Sequence, residues 1–481
     1  MMKPGKYENF QMGLFDEWEC SQTVKGTDVF SIRSGLVRRE WLSRCRKERA
    51  LTQDLMSEIA DLKNLDTALR RVISNKGSAG IDGMSLEELG DWFSSHYRAL
   101  QHQLTTCTYR VTAVKEVLIP KPNGGKRQLG IPTVKDRLVQ QAISQVLSKR
   151  YDPTFSDHSY GFRPKRNAHQ ALRKAGGYVA AGKNWIVDID LAKFFDEVNH
   201  DRLLWQLSTR IGDKRVLSLI GKFLRAGMLS GGMTNQRVKG TPQGSPLSPL
   251  LSNIVLDELD KELERRGHCF VRYADDIIVM VGSELASERV MKTLSEFIES
   301  RMRLKINKEK SEISRPHELN FLGHSILKDG SLGLSRKSEQ RFRAKLKRLT
   351  KRNRGIGLEQ MIGELTPVLR GWLNYFKYAR MRNRLCNIEA WLRRRLRCYR
   401  LKQCKRALGI ARLLTKLGVP WNRSWTTAGS SKGWFRLSMT HAVHEGMNLE
   451  WFKKTGLYSL TANYGYPLRK PPNTRDVRWV V

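Results

Sequence analysis

Several features that mark other classes of protein are scarce or missing in this sequence. No run of 18 or more apolar residues occurs, so no segment is long enough for a membrane-spanning helix. The opening residues lack the apolar core of a secretion signal, and a cytoplasmic location is expected. The seven cysteines are odd in number and form no C-x-x-C pair, which disfavours a disulfide framework or a zinc ribbon.

Acidic residues are also few: 47 Asp and Glu stand against 86 Lys and Arg, which leaves a net charge of +39. A field of that size attracts polyanions, either nucleic acid or an anionic membrane. The excess is concentrated, because residues 336–420 hold 25 basic residues and 4 acidic ones. A basic structural protein of the ribosomal type is one alternative, but such proteins seldom carry acidic pairs within apolar segments.

The chain of 481 residues is too long for one compact core, and its length indicates about three domains. Residues 1–54 have weak periodicity and are predicted to be an extension. The middle of the chain alternates helical patterns with short apolar strands, which indicates an α+β fold. The predicted elements there are a helix over 55–73, a strand over 184–195, helices over 252–266 and 285–302, and a strand over 318–327. The pattern over 331–420 is helical and basic, and a short appendage follows over 421–481.

The segment FVRYADDIIVMV, residues 270–281, places two adjacent carboxylates inside an apolar run. Burying a charge is costly, and two like charges side by side cost more. The segment is predicted to be a hairpin with Ala274 and Asp275 near its bend, so Asp275 and Asp276 point to opposite faces. An exposed turn is the ordinary explanation for such a pair, and a bound cation is the other.

The strand WIVDIDL repeats the anomaly, since Asp188 and Asp190 are two residues apart and share one face. They are either surface carboxylates on a half-exposed strand or part of a metal site. If this strand lies beside the hairpin, the carboxylates pool their charge, and Mg²⁺ suits such oxygen ligands. Two ions about 3.5–4 Å apart can activate a hydroxyl and stabilise a leaving pyrophosphate. The combination with the basic background favours the metal site and phosphoryl transfer.

The same residues resemble the motifs of a reverse transcriptase palm. YADD between apolar strands resembles its motif C, and the D-x-x-x-x-F spacing from Asp190 to Phe195 resembles its motif A. Further blocks in the same order resemble the group II intron-encoded reverse transcriptases, and the last resembles their maturase signature: IPKPNGGKRQLGIPTVKDR (119–137), YGFRP (160–164), GTPQGSPLSPLLSN (240–253), LKINKEKS (304–311), FLGHSI (321–326) and GWLNYF (371–376). The resemblance spans roughly residues 55–420.

The resemblance implies a right-hand polymerase, with fingers and an antiparallel-sheet palm over 55–330 and an α-helical thumb and maturase domain over 331–420. It implies an RNA-directed DNA polymerase that copies intron RNA into cDNA and helps that RNA to splice. The implied partners are structured intron RNA, an RNA template with a DNA primer, and target DNA, with no membrane. The expected location is the cytoplasm of a bacterium, in association with nucleic acid, and a homodimer is left open.

The resemblance also assigns roles to single residues. It implies that two Mg²⁺ ions are held by Asp190 and Asp275, with Asp276 beside them, and the motif spacing prefers Asp190 to Asp188. Roles in binding the dNTP and the nucleic acid fall to five further residues: Lys121 and Arg127 at the triphosphate, Phe195 against a 2′-OH, and Gln243 and Gly244 at the template and the nascent pair. FLGH would press on the primer strand. An ordinary charged hairpin and a core aromatic side chain are the alternatives for the lysine, the arginine and the phenylalanine.

The segment IEAWLRRRLRCYR, residues 388–400, is predicted to be a helix with an apolar stripe and crowded arginines on its other sides. Such a helix suits the phosphates along a duplex, because each neutralised phosphate releases counterions. Four arginines are candidate nucleic-acid contacts: Arg393, Arg394, Arg395 and Arg397. A solvated basic face is the alternative.

One departure from the family pattern is expected. Longer members end in a DNA-cutting module with cysteine pairs, and the residues after 430 supply no such metal cage, so no endonuclease is predicted. DNA binding is one expectation for residues 421–481, where tryptophans alternate with basic residues. Three rivals stay open: a domesticated or defence-type reverse transcriptase without an intron, an RNA-binding splicing factor with little polymerase activity, and an RNA-dependent RNA polymerase.

Overall fold

The computed structural model describes residues 53–120, 126–230, 233–235 and 237–465. The predicted extension over 1–54 therefore lies outside the described residues, apart from its last two positions, and so does the candidate Lys121. The helices are α1 (Leu55–Ala60), α2 (Leu62–Ser74), α3 (Leu86–Thr105), α4 (Val134–Tyr151), α5 (Ala168–Ala180), α6 (Phe194–Glu197), α7 (His200–Ser208), α8 (Lys214–Arg225), α9 (Ser248–Arg265), α10 (Glu284–Glu296), α11 (Arg336–Leu349), α12 (Leu358–Phe376), α13 (Arg382–Gln403), α14 (Ala407–Lys416), α15 (Trp421–Ala428), α16 (Trp434–Leu437), α17 (His441–Gly446), α18 (Leu449–Lys454) and α19 (Leu460–Asn463). The strands are β1 (Val114–Pro120), β2 (Lys126–Ile131), β3 (Trp185–Asp190), β4 (Met228–Ser230), β5 (Met233–Asn235), β6 (Cys269–Tyr273), β7 (Asp276–Val281), β8 (Glu312–Ser314), β9 (His324–Ile326) and β10 (Leu332–Leu334).

The described chain divides into two compact units. One combines the residues up to Val114 with Thr133–Ala142 and Asn199–Val238, and the other combines Lys115–Pro132, Ile143–Val198 and the residues from Lys239 onward. The first unit is mainly helical, and the second holds the sheet on which the acidic residues lie.

A break in the first unit separates two helices where the sequence pattern predicts one. The predicted helix over 55–73 is interrupted at Asp61, whose carboxylate accepts hydrogen bonds from the backbone N–H groups of Lys63 and Asn64. An aspartate in this position caps the start of a new helix, because its side chain competes with the backbone ladder. Leu62, the first residue of the second helix, is exposed.

A four-stranded antiparallel sheet in the order β6–β7–β3–β8 is the centre of the second unit. Helices α5, α9 and α10 pack against it. Strand β3 is shorter than the predicted strand over 184–195, because the chain turns after Asp190. Lys193 has a φ of +50°, and α6 begins at Phe194. The same unit holds the β1–β2 hairpin, in which Ile119 lies opposite Arg127.

The basic helices share the core of this sheet. One continuous cluster of buried side chains contains Val271 and Ile278 of the sheet together with Leu365 of α12 and Leu392 of α13. The two compact units divide at other points of the chain, and the domain boundary predicted at residue 331 stays a prediction.

The C-terminal helices form a smaller cluster of their own. Helices α14 and α17 and the turn after α17 contribute Ile410, Leu414, Val443 and Met447 to it. In the part of the chain that the structure describes, no helix combines the length and the apolar character that a membrane crossing requires.

Candidate active site

Sheet register brings the acidic residues of β3 and β7 together. Asp190, the last residue of β3, lies directly opposite Asp276, the first residue of β7. Directly opposed residues project to the same face, with Cβ atoms about 4.5–5.5 Å apart. Asp188 lies two residues earlier on β3 and shares that face. The prediction that the strand and the hairpin are neighbours in one sheet is confirmed.

The turn between β6 and β7 carries the third predicted carboxylate. It consists of Ala274 and Asp275, and Ala274 has a φ of +59°. A non-glycine residue in this left-handed region costs roughly 1–3 kcal/mol and persists only where surrounding contacts hold it. The register sets Asp276 opposite Asp190 and leaves Asp275 beside them at the tip of the hairpin. The family resemblance, in contrast, ranks Asp275 ahead of Asp276.

Burial, and after it mutual repulsion, raises the pKa of two of the carboxylates. Desolvation raises the pKa of Asp188 to about 7, and repulsion from Asp276 and Glu312 contributes to the rise. Desolvation, followed by repulsion from Asp275 and Asp190, raises the pKa of Asp276 to about 6, although Asp276 has solvent on its open side. A cluster that resists full ionisation near neutral pH gains from a nearby cation.

A lysine and a serine from the segment 304–311 complete the surroundings of Asp190. Lys310 Nζ lies 3.5 Å from Asp190 Oδ2. Ser311 Oγ accepts a hydrogen bond from the backbone N–H of Asp190 at 3.0 Å, and the N–H of Asn307 donates to the Asp190 carbonyl at 2.9 Å. The segment thus fixes the end of β3 and supplies a positive charge. Neither side chain is predicted from the sequence as part of the site, although the three lysines of LKINKEKS are a signal.

The donor set fits a hard divalent cation. Asp188, Asp190, Asp275 and Asp276 offer carboxylate oxygens, the ligand type that Mg²⁺ prefers. Within the described ranges, no group of three or more His, Cys, Asp or Glu side chains is already arranged as a metal cage. A cation here would relieve the repulsion that contributes to the raised pKa values of Asp188 and Asp276, and its binding would release protons.

A glycine of the GTPQGSP loop lets that loop lie on the turn that contains Phe195. Gly240 has a φ of +84°, and a Cβ there would come within 2.8 Å of the Phe195 carbonyl oxygen. The N–H of Thr241 donates to the Phe195 carbonyl at 2.6 Å, and the N–H of Gly240 donates to the Val198 carbonyl at 2.8 Å. Phe195 is half-buried, and its ring meets the ring of Phe194 edge-on. The loop and the turn therefore support the Phe195 ring together.

The next residues of the loop approach strand β2. The Gln243 carbonyl accepts a hydrogen bond from the N–H of Gly130 at 3.0 Å. Gly244 has a φ of +120°, and a Cβ there would lie 3.1 Å from the Gly130 carbonyl oxygen. Gln243 is half-buried and Gly244 is exposed. The loop is thus brought to the strand that carries Arg127, while Lys121 lies outside the described residues.

Two of the arginines on α13 are engaged inside the protein. Arg397 is buried, its Nε donates to the Met447 carbonyl at 2.9 Å, and burial lowers its pKa to about 10. Arg395 donates to the hydroxyl of Thr350 at 2.6 Å and to its carbonyl at 3.0 Å, at the C-terminal end of α11. The carbonyls of neighbouring segments thus take up hydrogen bonds of both arginines, and a contact of these two side chains with a duplex stays a prediction.

The other two predicted arginines are partly engaged. Arg394 lies over the Phe435 ring at 3.7 Å from its centroid, and Arg393 pairs with Glu389 at 3.0 Å. Contacts such as that between Arg394 and Phe435 join segments far apart in the chain, so the spacing of the arginines alone does not reveal them.

A different basic face is exposed on α11. Lys337, Arg341, Lys345 and Arg348 are all exposed and recur every three or four residues, so they follow one side of the helix. At the start of this stripe, the charge of Lys337 partly offsets the rise that desolvation causes in the pKa of Asp188.

The FLGH segment forms a tight turn that the GWLNYF helix, α12, holds in place. Of the predicted strand over 318–327, His324–Ile326 is observed as a strand, because Leu322 and Gly323 have φ values of +50° and +80°. The Tyr375 hydroxyl donates to the Leu322 carbonyl at 2.9 Å, and His324 Nδ1 lies 3.1 Å from the same oxygen. The conformation of the turn therefore depends on a side chain of α12.

Two protein families match parts of this chain. The reverse transcriptase (RNA-dependent DNA polymerase) family matches residues 119–326, and the group II intron maturase-specific domain matches residues 339–417. The first match contains the carboxylates of β3 and β7 and the FLGH turn. The second contains α12, α13 and most of α11.

Individual relatives cover different shares of the chain. Protein YkfC of Escherichia coli strain K12 is 30% identical over 320 residues, which cover 58% of this chain and 84% of that protein. The group II intron-encoded protein LtrA of Lactococcus lactis subsp. cremoris is 31% identical over 326 residues, and the chain spans about half its length, 54%. Among solved structures, telomerase from Candida albicans aligns with 13% identity and a TM-score of 0.40, over 75% of this chain and 65% of that one.

Proposed function

Since this chain belongs to the reverse transcriptases of group II introns that carry a maturase-specific domain, we propose that it copies intron RNA into cDNA and binds the same RNA to assist its splicing. Its enzyme class is RNA-directed DNA polymerase. The observation that carries the proposal is the register that sets Asp190 opposite Asp276, with Asp275 at the adjacent turn.

We assign metal binding to Asp190, Asp275 and Asp276. Bound there, two Mg²⁺ ions supply the charge neutralisation that phosphoryl transfer requires. The backbone of Asp190 is held by the N–H of Asn307 and the hydroxyl of Ser311, so its carboxylate projects from a fixed strand end. Positioning of this kind is the main contribution that a protein makes to phosphoryl transfer.

The half-buried Phe195 ring is the proposed barrier to ribonucleotides, and the rigid turn beneath it supports that role. Gln243 and Gly244 are proposed to meet the template and the nascent base pair, because the loop that holds them is fixed to Gly130. Lys121 and Arg127 are proposed to bind the dNTP triphosphate, as guanidinium and ammonium groups do elsewhere.

The exposed stripe on α11 is the proposed surface for the RNA–DNA hybrid. It follows one side of the helix, and the charge of Lys337 at its start acts on Asp188, which supports a duplex that lies along the stripe towards the site of synthesis. Arg393 and Arg394 border the same region as secondary candidates. Target DNA is proposed as a further partner, and residues 421–465 are proposed to bind it.

Primer extension on poly(rA)/oligo(dT) with Mg²⁺ tests the proposal. Asp190→Asn, Asp275→Asn and Asp276→Asn should each lower the rate at least about a hundredfold, or about 2.7 kcal/mol, because each removes a carboxylate charge from the metal site. Binding of the RNA template, followed by fluorescence anisotropy, should change little in the same variants. The exposed Glu309→Gln change is the matched control and should extend primers like the wild type.

Two alternative functions, a splicing factor without polymerase activity and an RNA-dependent RNA polymerase, predict different outcomes in the same assay. A wild-type protein that binds intron RNA but extends no primer is a splicing factor without polymerase activity, and the enzyme proposal fails. Extension with ribonucleotides at the rate seen with deoxynucleotides would contradict the role given to Phe195.

A further inference from the structure

A buried ion pair lies beneath the hairpin turn that carries Asp275. Arg272 of β6 and Asp260 of α9 both have side chains that are 0% exposed. Arg272 Nε and Nη2 lie 2.7 and 2.5 Å from the two carboxylate oxygens of Asp260. A bidentate pair of this kind fixes the plane of the guanidinium group as well as its position.

The third guanidinium nitrogen holds the turn itself. Arg272 Nη1 donates to the Ala274 carbonyl at 2.9 Å and to Asn253 Oδ1 at 3.0 Å. The Ala274 carbonyl and the Asp275 N–H belong to one planar peptide unit. Holding that carbonyl therefore fixes the direction in which the chain enters Asp275, and it helps to keep Ala274 at its φ of +59°.

Alternation along the strands separates this arginine from the carboxylate face. Tyr273 lies opposite Asp276, whereas Arg272 lies opposite Ile277. Successive side chains point to opposite faces of a sheet, so Arg272 projects away from the face that Asp276 occupies. Arg272 can therefore influence the reaction through the backbone of the turn, without touching a substrate or a metal.

A close approach by the YGFRP segment completes the support of the turn. Asn253 Nδ2 donates to the Gly161 carbonyl at 3.0 Å. A Cβ on Gly161 would collide with the backbone nitrogen of Ala274, so a glycine is needed for this contact. Segments from three parts of the sequence, YGFRP, PLSPLLSN and RYADD, thus meet at Ala274, the residue that precedes Asp275.

We propose that Arg272 is a positioning residue for the polymerase reaction, because it holds the Ala274 carbonyl and thereby sets the carboxylates of Asp275 and Asp276. The inference rests on the proposed function. Apolar side chains could fill the space between β6 and α9, and replacing a buried ion pair in this way is often neutral or stabilising. Apolar side chains would fill this space, but they could not donate a hydrogen bond to the Ala274 carbonyl as Arg272 does.

The test compares variants of the full chain in thermal unfolding and in primer extension with Mg²⁺. Arg272→Met leaves Asp260 buried and unpaired, so this variant should melt at a lower temperature. The double change Asp260→Leu with Arg272→Met should recover most of the melting temperature but still lack the carbonyl contact. We expect its kcat to fall at least about a hundredfold while its KM for dNTP changes less than about threefold, because the reacting groups are misplaced.

A second bidentate pair provides the matched control. Arg215 Nε and Nη2 lie 3.0 and 2.9 Å from the carboxylate oxygens of Asp213, in the other compact unit. The double change Asp213→Leu with Arg215→Met removes a bidentate pair that is less buried and also contacts Asp54 and the backbone of Met56, and its kcat should match that of the wild type. An equal loss of kcat in this control would show that any lost ion pair slows the enzyme, and the inference would be wrong.

Hydrogen exchange gives a readout that does not depend on activity. Amides of residues 273–277 should exchange faster in the double variant of Arg272 and Asp260 than in the wild type. A folded double variant with wild-type kcat and wild-type exchange at the turn would overturn the inference. A wild-type protein that extends no primer would defeat the proposed function instead, and the exchange at the turn would still decide the role of Arg272.

Discussion

Asp190 and Asp276 meet because β3 and β7 pair in one particular register, and a shift of one residue would turn one carboxylate to the opposite face. The two-residue period of a strand predicts from sequence that Asp188 and Asp190 share a face. The partner of Asp190 on the hairpin is not predictable in this way. The pairing depends on a two-residue turn in which Ala274 has a left-handed conformation, and an alanine does not predict that conformation from sequence.

Lys310 competes with a cation for Asp190. Its Nζ lies 3.5 Å from Asp190 Oδ2, so Lys310→Gln removes a positive charge that a bound metal has to tolerate or displace. The Mg²⁺ concentration for half-maximal primer extension should therefore fall roughly two- to fivefold, or about 0.4–1 kcal/mol, as for other exposed ion pairs. A Mg²⁺ titration of the initial rate measures the change.

The control for this prediction lies on the same segment. Lys308 is also exposed, and Lys308→Gln should leave the Mg²⁺ midpoint where it is in the wild type. The same midpoint in wild type and Lys310→Gln would mean that the lysine does not oppose the metal.

Among the elements, a periodic pattern predicts that a segment is helical but not where the helix breaks, as the interruption at Asp61 shows, and segments that contain left-handed residues are predicted less well. The helix predicted over 252–266 is observed as α9, although it begins four residues earlier, at Ser248. The strands predicted over 184–195 and 318–327 are both shortened by residues with positive φ, Lys193 in the first and Leu322 in the second. Such conformations depend on contacts with distant segments, as the bond from Tyr375 to the FLGH turn illustrates.

The FLGH turn should make the stability of the protein depend on pH. Burial lowers the pKa of His324 to about 4 from its ordinary value of 6.5. Between these values the unfolded chain binds the proton and the folded protein does not, so the free energy of unfolding falls as the pH drops from 6.5 towards 4. His324→Gln should reduce this fall by about 1–3 kcal/mol, measured by denaturant unfolding across that pH range.

The comparison requires a histidine outside the core. His317 is exposed and contacts Glu318 at 3.7 Å, so His317→Gln should keep the wild-type dependence on pH. Parallel stability curves for wild type and His324→Gln would contradict the assignment of the acid sensitivity to the buried ring.

For the whole molecule, the net charge of +39 predicts a polyanionic partner, but it does not predict which helix meets it. The densest run of arginines, on α13, is largely directed at carbonyls, a carboxylate and an aromatic ring of the same protein. The less conspicuous stripe on α11 is the one that is exposed. Charge counted along a sequence therefore locates a basic region, whereas packing decides which of its side chains reach solvent.

The salt dependence of hybrid binding distinguishes the two helices. Replacing Lys337, Arg341 and Lys345 together with Gln should weaken binding of an RNA–DNA hybrid and reduce the slope of log K against log salt by about 2–3, since each phosphate contact contributes about 0.9. Fluorescence anisotropy over a series of KCl concentrations gives the slope.

Arg395→Gln is the comparison variant, because Arg395 lies on α13 and is bound to Thr350. It removes hydrogen bonds to Thr350, so it should lower the melting temperature and leave the salt slope unchanged. If Arg395→Gln reduced the slope of log K against log salt more than the α11 variant did, the nucleic-acid surface would lie on α13 and not on α11.

The single core that joins the β6–β7–β3–β8 sheet to α12 and α13 limits how this chain can be divided. Val271 and Ile278, the sheet residues in that core, lie on the same face as Asp188 and Asp276. A chain cut short after residue 330 would leave this apolar surface open to water, and we expect it to aggregate. The sheet therefore depends on the C-terminal helices to stay folded, even in an assay that measures primer extension alone.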